Sequence, residues 1–162
     1  MSGTKIKSLK ELKTILAGLR AKGKKIVFTN GCFDILHYGH AKYLQDAKKK
    51  GDILVVAINS DASVKRIKES KRPIVGETDR LGVIAALESV DYAVLFKEDT
   101  PLKVIISLKP DILVKGADWK KNNIVGSDIV SGYGGKVVRI KLMPGRSTTN
   151  LIKKIAKNFG SH

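Results

Sequence analysis

Ile53-Leu54-Val55-Val56-Ala57-Ile58 is apolar at every position. A strand with water on one side alternates apolar and polar residues, so this one is covered on both faces. Lys25 to Thr29 (KIVFT) reads as a buried strand too, and His40 to Lys50 between them has helical spacing. Tyr43, Leu44 and Ala47 share one face of that helix, and Gly51 stops it. Strand, helix, strand with no polar face calls for a parallel sheet wrapped in helices.

Working outward, Leu9, Leu12, Ile15, Leu16 and Leu19 predict a helix over about residues 8–22, with Ser8 as N-cap and Gly23 past its end. Short helices are expected over Asp61 to Lys68 and Thr78 to Val90, with Pro73 between them. Strands follow at Tyr92 to Phe96, Asp111 to Val114 and Lys136 to Ile140. A helix opens at Pro101 and another covers Thr148 to Asn158. Right-handed crossovers turn this order into a doubly wound α/β domain of about five strands, with ligands beyond the carboxyl ends of the strands. One domain over residues 1–162, with its catalytic core at about 24–158, is the simplest account.

The 162 residues are 43% hydrophobic and 28% charged, with 31 Lys and Arg against 15 Asp and Glu, a formal charge of +16. No apolar run approaches a membrane span, and the N-terminus MSGTKIKSLKELK lacks a signal core, so no membrane role and a cytoplasmic location are expected. The single cysteine, Cys32, excludes an intrachain disulfide. The lysines scatter through helical segments and aromatics make up only 6% of the chain, which speaks against stacking platforms for nucleic acid. A solvated surface or attraction for small phosphorylated substrates fits the charge better.

The densest chemistry follows the first strand: Thr29, Asn30, Gly31, Cys32, Phe33 and Asp34, then His37-Tyr38-Gly39-His40. A loop running from strand end to helix start presents backbone N–H groups and a helix dipole to an anion. Gly31 and Gly39 permit close approach. Two imidazoles three residues apart can donate to phosphate oxygens and stabilise the charge of a phosphoryl-transfer transition state. Cys32 with both histidines also offers three potential zinc ligands, a weaker reading. A second cluster, Gly145-Arg146-Ser147-Thr148-Thr149, opens the last helix with hydroxyls and free N–H groups, the makings of a phosphate cradle. A third, Lys115-Gly116-Ala117-Asp118-Trp119, ends the fourth strand, where a base could lie against backbone or Trp119 could pack underneath.

Gly31 to His40 resembles the GxFDxxHxGH signature of the HIGH-type nucleotidyltransferase superfamily, with every fixed position present. Ser147-Thr148-Thr149 is similar to that superfamily's late STT motif, which implies a Rossmann-like sheet. The further runs Asn59 to Ser63, Arg72-Pro73, Glu98 to Pro101, Lys109 to Gly116, Gly126-Ser127 and Ser147 to Ile152 resemble the branch that adenylates heptose 1-phosphate. That branch makes the ADP-heptose of the lipopolysaccharide core. Leu142 stands where cytidylyltransferases carry an arginine three residues before the glycine, a departure from that branch.

The resemblance implies ATP as co-substrate with Mg²⁺ bound mainly through its phosphates, and a sugar phosphate as acceptor. His37 and His40 would be catalytic. The nucleotide would be held by Thr29 to Asp34, Gly39, Lys115, Gly116, Asp118, Gly145 and Ser147 to Thr149. Asp34 would orient either the loop or the metal. Lys65, Lys68, Arg72 and Arg80 would face the substrate phosphate, with Lys68 and Arg80 preferred. A homo-oligomer is expected, as is a stand-alone transferase whose substrate comes from a separate heptose kinase. Siblings using CTP with glycerol 3-phosphate, or GTP with a heptose phosphate, are the alternatives; a non-enzymatic nucleic-acid module ranks below both.

Overall fold

The computed structural model describes residues 5–68, 71–120 and 123–160. In chain order its elements are α1 (Leu9–Ala21), β1 (Ile26–Gly31), α2 (Tyr38–Lys48), β2 (Ile53–Asn59), α3 (Asp61–Ile67) and α4 (Glu77–Ala86). Then come β3 (Tyr92–Phe96), α5 (Leu102–Leu108), β4 (Ile112–Gly116), α6 (Ser127–Gly132), β5 (Lys136–Ile140) and α7 (Thr148–Phe159). The five strands form one parallel sheet in the order β3-β2-β1-β4-β5. This is the doubly wound, Rossmann-like α/β arrangement expected from the apolar runs, and its order reverses at β1.

Period-2 geometry divides each strand between two cores. Leu54, Val56 and Ile58 of β2 pack with Tyr43, Leu44 and Ala47 of α2 and with Ile84 and Ala85 of α4. Val55 and Ala57 face the other way, to Leu12 and Leu16 of α1 and Val104, Ile105 and Leu108 of α5. Helix α1 thus covers the sheet. It starts on a full capping box, Ser8 and Glu11 each serving the other's backbone N–H.

At the amino ends of the strands, aspartates take up free N–H groups. Asp111 accepts from Ile26 at 2.7 Å, Asp91 from Leu54 at 2.7 Å, and Asp52 from Lys25 at 2.8 Å. That end is closed by structural bonds, leaving the carboxyl ends for a ligand.

Several boundaries differ from expectation. β1 runs on through Gly31 and β4 through Gly116, because both glycines continue the parallel ladder. α2 begins at Tyr38, with His37 as its N-cap. α4 stops at Ala86, well short of Val90. The sequence reading missed α6 altogether: it has six residues, one of them buried (Val130), and too little periodicity to stand out.

Candidate active site

A cavity of about 660 Å³ opens beyond the carboxyl ends of β1, β2 and β4, a size that suits a small ligand. Its lining draws on all three sequence clusters: Asn30 to Asp34 with His37, Gly39 and His40; Lys115, Gly116, Asp118 and Trp119; and Arg146 to Thr149. Residues far apart in the chain converge because β1 and β4 are neighbours at the point where strand order reverses.

The loop after β1 is held in one shape. Phe33 adopts a left-handed backbone (φ 47°), which a non-glycine residue keeps only where its surroundings fix it. Its ring lies over Gly31, where a Cβ would come within 2.9 Å, and meets the His40 ring edge-on at 5.3 Å. His37 caps α2 with extended backbone and no side-chain capping bond, so its ring stays free to stack on His40 at 3.8 Å. Gly39 allows that packing: a Cβ there would sit 2.9 Å from both the His37 ring and the Arg146 Cβ.

Burial, then the nearby Arg146, lowers the His37 pKa; burial and His37 push His40 down to about 4. Both rings are therefore neutral near pH 7. Among the described residues, His37 Nδ1 and Nε2, His40 Nδ1 and Asn30 Oδ1 are buried without a hydrogen-bond partner. Orphaned polar atoms carry a real cost, and four at one spot mark where a polar ligand or water belongs.

Asp34 orients the loop. Fully buried, it accepts from the Ile74 and Val75 N–H groups at 2.8 Å each and from Arg72 Nε. Burial alone would raise its pKa, but the Val75 and Ile74 N–H groups and Arg72 together hold the carboxyl below its ordinary value. Both of its oxygens accept from the segment Arg72 to Val75. Among the described residues no group of three or more His, Cys, Asp or Glu is placed to hold a metal ion.

The basic residues separate. Lys68 and Arg72 line the cavity, Arg72 while paired to Asp34. Lys65 is exposed and does not line it. Arg80 is a correction. It is only 1% exposed and donates to Val75 O at 2.9 Å, Cys32 O at 2.6 Å and Asp61 Oδ1 at 2.7 Å. Each guanidinium nitrogen makes a bond to protein, so Arg80 clamps the loop to α3, and it does not line the cavity.

Thr29 lies beneath the cavity floor, bonded to the Tyr43 hydroxyl at 2.8 Å and Val114 O at 3.0 Å. Gly145 makes the turn before α7 with φ 72° and is not part of the lining. Ser147 caps α7, its Oγ accepting from Asn150 N at 3.1 Å, while Thr148 and Thr149 line the cavity. Trp119 is 46% exposed at the cavity wall, not packed underneath. Asn59, Thr100 and Met143 also line it and were not singled out individually from sequence. Asn59 could have been, since it ends the strand beside β1.

The cytidylyltransferase-like family pattern matches residues 28–154, most of the chain. The chain belongs to this family. By family it is a nucleotidyltransferase. The chain is 54% identical over 159 residues to the bifunctional protein HldE of Geobacter metallireducens, and 54% over 158 residues to that of Citrifermentans bemidjiense. In both cases the match takes in 98% of this chain and 32% of the relative, so the chain spans about a third of the length of these curated relatives. A lipopolysaccharide core biosynthesis protein from Thermoplasma volcanium matches with a TM-score of 0.65 and 38% identity, over 75% of this chain and 99% of that one. A macrolide-efflux protein from Streptococcus pneumoniae, 18% identical with a TM-score of 0.61 over 81% of this chain and 52% of that one, shares the fold.

Proposed function

We propose that this nucleotidyltransferase transfers AMP from ATP to D-glycero-β-D-manno-heptose 1-phosphate, giving ADP-heptose and pyrophosphate. The observation that carries the chemistry is the pair of stacked, neutral histidines with orphaned ring nitrogens in the cavity that Thr148 and Thr149 also line. The likeness to HldE proteins and to a lipopolysaccharide core biosynthesis protein supports the sugar.

An oxygen of the sugar 1-phosphate attacks the α-phosphorus of ATP. The bond from that phosphorus to the bridging oxygen breaks, and pyrophosphate leaves with the electron pair. His37 and His40 donate hydrogen bonds to the α-phosphate as its charge grows. The N–H groups of Gly31 to Phe33 support the phosphates, and Ser147 to Thr149 hold the departing pyrophosphate. Lys68 and Arg72 face the sugar phosphate. Both Asp34 oxygens are taken up by protein bonds. This suits a Mg²⁺ held mainly by phosphate oxygens, whose charge would offset that of the triphosphate. Heptose 1-phosphate would come from a sugar kinase.

The second reading is a cytidylyltransferase acting on glycerol 3-phosphate, with which the cytidylyltransferase-like family pattern is compatible. Against it, Leu142, in the arginine's place, lines the cavity beside Gly116. Pyrophosphate release is to be measured with ATP or CTP against a panel of sugar and polyol phosphates. Release only with ATP and the heptose phosphate is expected. Release only with CTP and glycerol 3-phosphate would install the second reading, and none with any pair would remove both.

A further inference from the structure

A triphosphate brings about four negative charges, yet few of the cavity's own charges are available to meet them. Both histidines are neutral, Arg72 is paired through Nε to Asp34 and faces the sugar phosphate, and Arg80 sits behind the lining in the loop clamp. Of the other cations on the lining, Lys68 and Arg146 are exposed at the surface. Lys115 alone sits inside.

The Lys115 ammonium has three N–H donors to satisfy. Among the described residues its one protein acceptor is the Asn30 carbonyl, at a long 3.5 Å, and the Trp119 ring lies 5.5 Å away to the centroid. Among the described residues no carboxylate lies within ion-pair distance of it. An ammonium drawn out of water without a counter-ion is unstable as it stands and gains most from an anion supplied by a ligand. Asn30, its acceptor, immediately precedes the loop whose N–H groups face the phosphates.

We propose that Lys115 is the charge-compensating residue for the nucleotide's phosphate chain. This rests on the nucleotidyltransferase site described above. It moves Lys115 from the base and ribose, where resemblance would put this loop, to the phosphates. The ionisable groups facing it are Cys32 from the loop after β1 and Asp118 from the loop after β4. Arg139 is its register neighbour on β5 and donates to the Trp119 carbonyl. Burial pulls Lys115 down to about 8, against the smaller upward pulls of Cys32 and Asp118. Bound phosphate raises it again, so the proton that Lys115 takes up on binding is a fraction of one near pH 8 and smaller at pH 6.5.

The test is calorimetric titration with ATP at pH 8 and 6.5, in buffers of different ionisation enthalpy, without the sugar substrate. Wild type is expected to take up a fraction of a proton per nucleotide at pH 8 that the Lys115 variants do not. Lys115→Arg should bind with no uptake, and Lys115→Met should bind roughly 10- to 100-fold more weakly, also with no uptake. Undiminished uptake in the arginine variant, or wild-type affinity in the methionine variant, overturns the proposal. Should the methionine variant fail to fold, the arginine variant decides through its uptake alone. Binding of CTP in place of ATP, with the same lysine dependence, would correct the nucleotide and leave the role of Lys115 standing. Wild type that binds neither nucleotide would overturn the function and this inference together.

Discussion

His37 and His40 stack at 3.8 Å, and among the described residues both ring nitrogens of His37 and Nδ1 of His40 have no hydrogen-bond partner. Removing either should lower turnover at least about 100-fold, the scale for losing a transition-state donor, with the circular dichroism spectrum unchanged. Near-normal rates in both alanine variants would make the pair structural. Their burial also leaves a thermodynamic trace. His40 titrates at about 4 when folded and near 6.5 when unfolded. Between those values the unfolded chain holds a proton that the native site excludes, so stability falls as pH drops from about 6.5 to 4. Asp34 acts in a lower window: its carboxyl is held below the ordinary value of 3.8, and its contribution is lost only as pH falls past that. Thermal unfolding followed against pH should therefore show two stages of loss. His40→Gln should flatten the upper stage and spare the lower one. An unchanged upper stage would show that His40 is not the excluding group.

At the scale of elements, the site is a loop pinned from both sides. Gly39 lets the start of α2 reach the Arg146 turn. Gly39→Ala should cost about 1–3 kcal/mol in urea unfolding and also lower turnover, since overpacking there displaces His37. Arg80→Met removes donors from two backbone carbonyls and from Asp61 at once. A loss of about 2–3 kcal/mol is expected on the same assay. A neutral result would mean the clamp does not persist in solution.

These elements show what a sequence discloses. Strand β2 was legible because burial on both faces leaves its first six residues without a polar side chain. The histidine loop was legible because its residues are contiguous and spaced for one pocket. Arg80 was not: a charged residue within a helix reads as surface or ligand-facing, and its partners Cys32 and Asp61 lie 48 and 19 residues away. Asp34 was half legible, its need for partners plain and their source, Ile74 and Val75, hidden in a loop without periodicity. The extent of α6 was illegible because a single buried residue sets no period.

At the scale of the molecule, one end of the sheet is closed by aspartates and the other left open for chemistry. The alternation of the strands between two cores makes the sheet the rigid platform on which the loops converge. Helix α7 stands apart. It carries the hydroxyl cluster at its start, buries none of its residues, and leaves Ile155 and Phe159 51% and 82% exposed. Phe159→Ser should therefore change stability by no more than about 0.5 kcal/mol; a larger loss would mean that this face is covered in solution. The central claim, adenylyl transfer to a heptose 1-phosphate, is tested most directly by following the α-phosphorus. With α-labelled ATP and D-glycero-β-D-manno-heptose 1-phosphate, the label should appear in the nucleotide sugar, with one pyrophosphate released per label transferred. Label that stays in ATP, or appears only as free AMP, would contradict the account.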